Sequence, residues 1–357
     1  MGLFVATRSW VGLDLGSYAL KVVEVVRSNG GVKVARMAMA QTPPGAVAEG
    51  VAVDPEALAP AIRALLGEAG IKGKRVVTAL GGEAVIVREL KVPDMPESEL
   101  EQAVAFEAER YLPAGVKEVS RDFQVLGKVP EEGQLEILLV AARKELIDQQ
   151  IAPLQKTGVT PAVLEVTPFS MLRAVAQPDG EDRAVVYVDL GAESSDILIM
   201  EGQRLRLARN IALGGNALTR AVAESLSLEF PAAQTLKEQR GQMLLGSERP
   251  EDPTVGAVYE ALVPVIGSIV TEIRRSLDFY QARSRGRTIG KVILTGGTAK
   301  LKNLAPFLSE ELALPVEVGN PFATCPADPS FPPEYLSDVG PMMAVAVGLA
   351  LRGAIER

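Results

Sequence analysis

Two stretches of the sequence carry residues of the right type and spacing to hold a phosphate. Residues 10–26 read WVGLDLGSYALKVVEVV, and residues 185–200 read VVYVDLGAESSDILIM. In each, a β-rich run meets Asp-Leu-Gly and a small or polar residue, and a second β-rich run follows. This is the pattern of a hairpin whose turn presents an Asp and exposed amides. In the first turn, Gly16 lets the backbone approach an anion, and the amides of Ser17 and Tyr18 can donate to phosphate oxygens. Ser17 adds a hydroxyl, and Lys21 is a point charge suited to β- or γ-phosphate oxygens. Asp14 faces phosphate favourably only with a divalent cation between them, through water. Taken alone, this turn is better read as a hairpin with a solvated Asp at its tip.

The second turn, Asp189, Gly191, Ala192, Glu193 and Ser194, repeats the geometry almost half a chain away. Asp189 then faces Asp14 across a cleft, and two carboxylates around one hydrated Mg²⁺ suit a nucleotide site. A third element, Gly296-Gly297-Thr298 at a strand end, lacks side chains and would leave a flat floor for an adenine ring. Together the three elements predict a nucleotide cleft between two related α/β halves.

The elements that must position these residues follow from periodicity. Leu58, Ile62, Leu65 and Leu66 mark a helix over 55–69. Residues 75–80 and 84–90 read as strands around Gly81-Gly82. Pro96 opens a helix through Tyr111 with Leu100, Val104 and Ala108 on one face. A hairpin over 122–128 and 135–141, turning at residues 130–133, and a helix over 144–156 stopped by Gly158 complete a block with its own apolar pattern, an inserted subdomain. In the second half, Gly214-Gly215-Asn216 precedes a helix to Ser227, and a further helix runs from Pro231 to Gly241. An apolar-periodic run over 254–283 contains Pro264, which predicts a kink. A strand over 291–295 leads to a helix near Leu301, the proline-rich stretch 320–333 reads as a loop, and a last helix covers 341–352.

Composition narrows the chemistry. The 357 residues suggest two to three domains, and 37 basic against 45 acidic residues give a net charge of −8 without a basic block, which argues against a nucleic-acid binder. The absence of His excludes a Ser-His-Asp triad, histidine metal sites and imidazole acid–base chemistry. A single cysteine, Cys325, excludes disulfide frameworks and Cys-rich zinc sites and fits a reducing compartment. No segment reads as a bilayer span or a secretory signal, so any membrane role is expected to run through a partner.

The Asp-x-Gly-Ser…Lys hairpin, the second Asp-x-Gly hairpin and the strand-Gly-Gly-Thr element resemble the three nucleotide signatures of the superfamily of actin, heat-shock ATPases and sugar kinases. More narrowly, GLDLGSYALKVVEV, VPDMPESELEQAVAFEAERYLP, LLVAARKELID, VDLGAESSDILI and GPMMAVAVGLALRG resemble the PilM family of type IV pilus assembly, an FtsA-related, actin-like group. The resemblance implies an actin-like ATPase fold, two ribonuclease-H-like halves around a nucleotide cleft, with the inserted subdomain of FtsA and PilM. It divides the chain into a first half over 1–92, 159–184 and 335–357, the insert over 93–158, a second-half core over 185–215 and 286–334, and a helical subdomain over 216–285.

ATP and Mg²⁺ are the cofactors it implies. Asp14, Gly16, Ser17, Tyr18 and Lys21 would form the first phosphate loop, and Asp189, Gly191, Ala192, Glu193 and Ser194 the second, with Asp14 and Asp189 toward the metal. Gly214, Gly215, Asn216 and Lys237 would flank ribose and adenine, and Gly296, Gly297 and Thr298 would close the base site. On sequence alone Lys237 also reads as a solvated helix lysine.

Two departures bear on catalysis. Ala192 and Glu193 stand where heat-shock relatives carry glycines, and a carboxylate there would repel a γ-phosphate unless turned away or shielded. Over 163–170 no residue is a convincing orienter of a hydrolytic water: Glu165 and Thr167 are the nearest candidates, and strand packing or a solvent face explains either equally well, so ATP binding with slow or no turnover is expected.

The family resemblance also implies a partner: the N-terminal cytoplasmic tail of PilN, held in a groove beside the insert, with Phe106 partly exposed near it. It implies a location at the inner face of the inner membrane, reached through PilN and other platform proteins, with self-association open. Two other readings remain: an FtsA-like filament protein and a small-molecule kinase of the same fold. FtsA relatives carry a terminal amphipathic helix, whereas this sequence ends at Ile355-Glu356-Arg357, which favours recruitment by a partner. No substrate-site carboxylate motif favours the kinase.

Overall fold

The computed structural model describes residues 9–28, 31–82, 85–110, 118–129, 133–177, 183–284 and 286–355. The expectations at Ala84, Tyr111, the turn residues 130–132 and the two chain ends lie outside these residues.

The first repeat folds as β1 (Ser9–Leu15) and β2 (Ala19–Ser28), an antiparallel hairpin extended by β3 (Gly31–Gln41). A short hairpin, β4 (Val47–Ala48) and β5 (Val51–Ala52), leads to α1 (Pro55–Glu68). Asp54 caps α1 by accepting from the amides of Glu56 and Ala57, with Pro55 at the first helical position. β6 (Arg75–Leu80) adds parallel to β1.

β7 (Val85–Pro93), α2 (Glu97–Glu109), β8 (Val119–Val129) and β9 (Gln134–Arg143) form a separate sheet, ordered β7-β9-β8, with α2 packed on it. Its core is Val92, Leu100, Val104, Ala108, Leu135, Ile137 and Leu139. β6 and β7 therefore do not pair around Gly81-Gly82: one belongs to the first-half sheet and the other to the inserted one. The inserted sheet thus starts ahead of residue 93.

α3 (Lys144–Thr157) packs back on α1, burying Leu154 in the first-half core. β10 (Thr160–Val166) then adds parallel to β6, and α4 (Thr167–Val175) follows.

The second half repeats this plan. β11 (Arg183–Leu190), β12 (Ser195–Glu201) and β13 (Arg204–Ile211) are antiparallel neighbours. α5 (Gly215–Leu226), α6 (Phe230–Arg240) and α7 (Pro253–Gln281) follow, and α7 runs unbroken through Pro264. β14 (Thr288–Thr295) is parallel to β11, α8 (Leu304–Leu312) comes after a single 3₁₀ turn at 297–300, and β15 (Val316–Val318) closes the sheet. The strand orders β3-β2-β1-β6-β10 and β13-β12-β11-β14-β15 match position for position. The duplicated motif is thus the outer mark of a duplicated sheet.

The last helix, α9 (Pro333–Ile355), starts eight residues earlier than expected because Pro341 sits inside it. α9 and α4 lie between the two sheets, where Met171, Ala174, Val345, Ala346 and Leu349 meet Val23 and Val25 of one sheet and Val185, Tyr187 and Leu198 of the other. Strands buried on both faces read as continuous apolar runs, as β11 and β12 do. α7 and α9 are long and apolar enough to cross a membrane by length and composition, and in this fold both line the protein core.

Candidate functional site

The antiparallel ladders place the Asp residues of the two motifs at hairpin tips. In the first tip Asp14 is the cross-strand partner of Lys21, whose Nζ lies 2.7 Å from Asp14 Oδ2. The end of β3 holds the loop from below: Thr42 Oγ1 donates to the Gly16 carbonyl (2.6 Å), and the Thr42 amide donates to the Tyr18 carbonyl (3.0 Å).

In the second tip the Gly191 amide donates to the Ser194 carbonyl (3.1 Å), tightening the turn. Thr295 Oγ1, at the end of β14, donates to Asp189 Oδ1 (2.8 Å). Burial pushes the Asp189 carboxyl above its usual value; the Thr295 bond and the Lys21 charge pull it down, and Asp14 pushes it up.

A second carboxylate stands beside it. Asp196 is the cross-strand partner of Asp189, is buried, and accepts a hydrogen bond from Asn210 Nδ2 (2.8 Å). Burial outweighs that bond and, with the neighbouring Asp189, pushes its pKa up to about 7. Asp196 was not among the expected site residues. The signal for it was present: by hairpin register it occupies in the second half the place of Lys21 in the first.

Hydrogen bonds join the two sides at the tips. Ser17 Oγ donates to Glu193 Oε2 (2.9 Å), and the backbone amide of Glu49 donates to the same oxygen (2.8 Å). Tyr18 Oη donates to Glu238 Oε1 on α6 (2.9 Å). Glu193 is thus turned onto the first half, which answers how a carboxylate is accommodated in this loop. Glu49 and Glu238 carry no sequence motif, and only the fold brings them here.

The floor belongs to the second half. Gly214 precedes α5, and the amides of Gly215 and Asn216 donate to the carbonyls of Gly191 (2.9 Å) and Ala192 (2.7 Å), so the start of α5 is pinned under the second loop. Thr298 Oγ1 donates to the same Gly191 carbonyl (3.2 Å).

Lys237 is not a solvated helix lysine. Its Nζ donates to the Gly215 carbonyl (3.0 Å), Thr219 Oγ1 (2.7 Å) and Gln234 Oε1 (3.0 Å), and burial brings its pKa down to about 8. Gly296 takes φ +85°, and a Cβ there would lie 2.4 Å from the Leu190 carbonyl oxygen and 2.8 Å from Asp189 Oδ1. Only glycine lets β14 end this close to the Asp189 tip. Gly297 and Thr298 open the 3₁₀ turn that follows.

The two residues considered for orienting water sit away from the tips or are already committed. Glu165 is paired with Arg173 and accepts from Ser170 Oγ (2.7 Å), which ties β10 to α4. Thr167 opens α4, with its Oγ1 2.7 Å from where a Cβ on Gly81 would stand. Among the described residues no cluster of three or more His, Cys, Asp or Glu could hold a metal by itself. Asp14 and Asp189 are a two-carboxylate set, which fits a cation that keeps most of its water, as Mg²⁺ does.

Two sheets of one plan, stacked through central helices with hairpin tips converging on a cleft, define the actin-like ATPase fold. The MreB 5 of Spiroplasma citri bound to AMPPNP shares it at 12% identity and TM-score 0.52, covering 96% of this chain and 94% of that one. The MamK double helical filament does so at 14% identity and TM-score 0.53, covering 98% and 99%.

Within that fold, the family of the type IV pilus assembly protein PilM matches residues 12–354, and the chain belongs to it. The solved PilM-PilN type IV pilus biogenesis complex is similar at 36% identity and TM-score 0.85, covering 97% of this chain and 99% of that one. The cell division protein FtsA of Helicobacter pylori (strain J99) is 25% identical over 232 residues, 60% of this chain and 46% of that protein. FtsA of Neisseria meningitidis serogroup B is 23% identical over 186 residues, 47% and 44%. The chain thus spans less than half the length of these FtsA relatives.

Proposed function

We propose that this PilM-family protein is an ATP-binding adaptor of the type IV pilus inner-membrane platform. It works at the inner face of that membrane through its partners and takes the N-terminal tail of PilN beside the inserted subdomain. The observation that carries the nucleotide part is that the two tips meet across the cleft, where Ser17 Oγ of the first donates to Glu193 Oε2 of the second (2.9 Å). A triphosphate fits such a cleft, with Lys21 and the Ser17 hydroxyl toward its phosphates and Lys237 and Thr298 toward the nucleoside. Asp14 and Asp189 would hold a hydrated Mg²⁺, which would neutralise phosphate charge. Burial already strains the Asp189 carboxylate, and a cation there would relieve it.

Turnover is expected to be slow, because Glu165 is committed to Arg173 and no other carboxylate over 163–170 is available to orient water. The partner part rests on family membership and on the likeness to the PilM-PilN complex. Titration calorimetry with MgATP, then with a synthetic PilN tail, tests both parts. Heat from both, with Kd in the micromolar range or tighter, supports the reading. No heat at millimolar MgATP overturns the nucleotide part, and no peptide binding overturns the adaptor part.

A further inference from the structure

Glu193 makes a contact that a nucleotide-binding loop does not need. Two donors of the first half, the Ser17 hydroxyl and the Glu49 backbone N–H, converge on one of its carboxylate oxygens at 2.9 and 2.8 Å. These donors come from separate elements, the β1–β2 tip and the β4–β5 turn. The turn aims its amide at some cost, since Glu49 takes φ +52°, a left-handed conformation that glutamate rarely adopts. It is also pressed close beneath the end of β6: a Cβ on Gly82 would lie 2.6 Å from the Glu49 carbonyl oxygen. A hydroxyl and an amide held on one point are an anion-accepting pair. In this conformation the anion is supplied by the protein itself, from the opposite half.

We propose that Glu193 is a built-in stand-in for the terminal phosphoryl group: its carboxylate fills the anion position between Ser17 and Glu49 and bridges the cleft until a nucleoside triphosphate evicts it. This deepens the nucleotide reading above and rests on it. In that site the terminal phosphoryl would be the part of the ligand between the two tips, beside Lys21. It would compete with Glu193 for the same two donors and be repelled by it at short range. A diphosphate lacks that group and leaves the Glu193 bridge in place. Glu193 therefore weighs against the triphosphate and not the diphosphate, and its release couples the presence of the third phosphoryl to the hydrogen bonds across the cleft.

The test is calorimetry of the full chain with MgATP and MgADP, in the wild type, Glu193→Ala and Glu193→Gln. Glu193→Ala should tighten MgATP about tenfold, the scale of a charge-assisted hydrogen bond, and change MgADP by less than about twofold. Glu193→Gln keeps an acceptor without the charge and should fall between, which guards against a folding defect in the alanine variant. Hydrogen exchange gives a second readout. In ligand-free Glu193→Ala the Glu49 amide should exchange faster than in the wild type, and ATP but not ADP should restore its protection. If the wild type binds both nucleotides and neither variant changes their ratio, the proposal is overturned while the nucleotide reading stands. If the wild type binds neither, both fall.

Discussion

Asp189 and Asp196 face each other across one rung of the β11–β12 ladder, the rung that Asp14 and Lys21 occupy in the β1–β2 ladder. The two sheets share one plan, but at this rung the first half sets a cation opposite its carboxylate and the second half sets another acid. In the first, Lys21 lies 2.7 Å from Asp14 and the charge is neutralised locally. In the second, two carboxyls compete for what neutralisation there is, and Asn210 offers the buried Asp196 only an amide.

The pH dependence of stability should report this. Asp196 titrates at about 7 in the folded protein, well above its unfolded value. A raised carboxyl contributes stability that is fully present below the unfolded value, about pH 4, and is lost as the pH rises through about 7. Asp196→Asn removes that loss. The ligand-free variant should be more stable than the wild type at pH 8 by about 2–4 kcal/mol, with the difference shrinking toward pH 5. Chemical denaturation at the two pH values checks this, and parallel pH profiles would refute it.

Lys21 should matter more for ligand than its single charge suggests, because its loss leaves Asp14 without its counter-ion. Lys21→Met is expected to weaken MgATP binding at least about tenfold, reflecting charge-assisted bonds worth about 1.5–3 kcal/mol. Calorimetry with MgATP measures it, and an affinity equal to wild type would remove Lys21 from the phosphate site.

The contact between α4 and α9 leaves no room for a methyl group. A Cβ on Gly348 would stand 1.7 Å from the Ser170 carbonyl oxygen. Gly348→Ala should destabilise the protein by about 3 kcal/mol or more, since both helices must move apart between two sheets. Gly67 in α1 is the control: a Cβ there meets nothing within 4 Å, and Gly67→Ala should raise stability by about 0.5–1 kcal/mol. Thermal denaturation of the pair separates close packing from a general intolerance of substitution.

Phe106 is 67% exposed on α2, away from the Leu100, Val104 and Ala108 face that fills the inserted subdomain's core. Phe106→Asp should leave the thermal midpoint nearly unchanged and weaken the PilN tail at least about tenfold, with MgATP binding unaffected. Fluorescence anisotropy with a labelled tail measures this, and an unaltered Kd would move the peptide site elsewhere.

The parts of this protein written as local pattern were legible in its sequence. Period-two and near-continuous apolar runs set the strands, 3.6-residue spacing set the helices, and the repeated Asp-Leu-Gly turns marked the two tips, because these features depend on neighbours within one hairpin or one helix. The inserted subdomain was visible for the same reason, although the place of β7 in it was not: the strand itself is legible, but it does not encode which of two sheets will take its edge.

What only the tertiary structure decided are the relations across the cleft. That Glu193 turns onto Ser17 and Glu49, that Tyr18 reaches Glu238, that Lys237 is half-buried against α5 and that Glu165 is spent on Arg173 all follow from how close the fold brings residues far apart in sequence. Desolvation and charge pairing depend on that proximity, and one chain read residue by residue does not contain it.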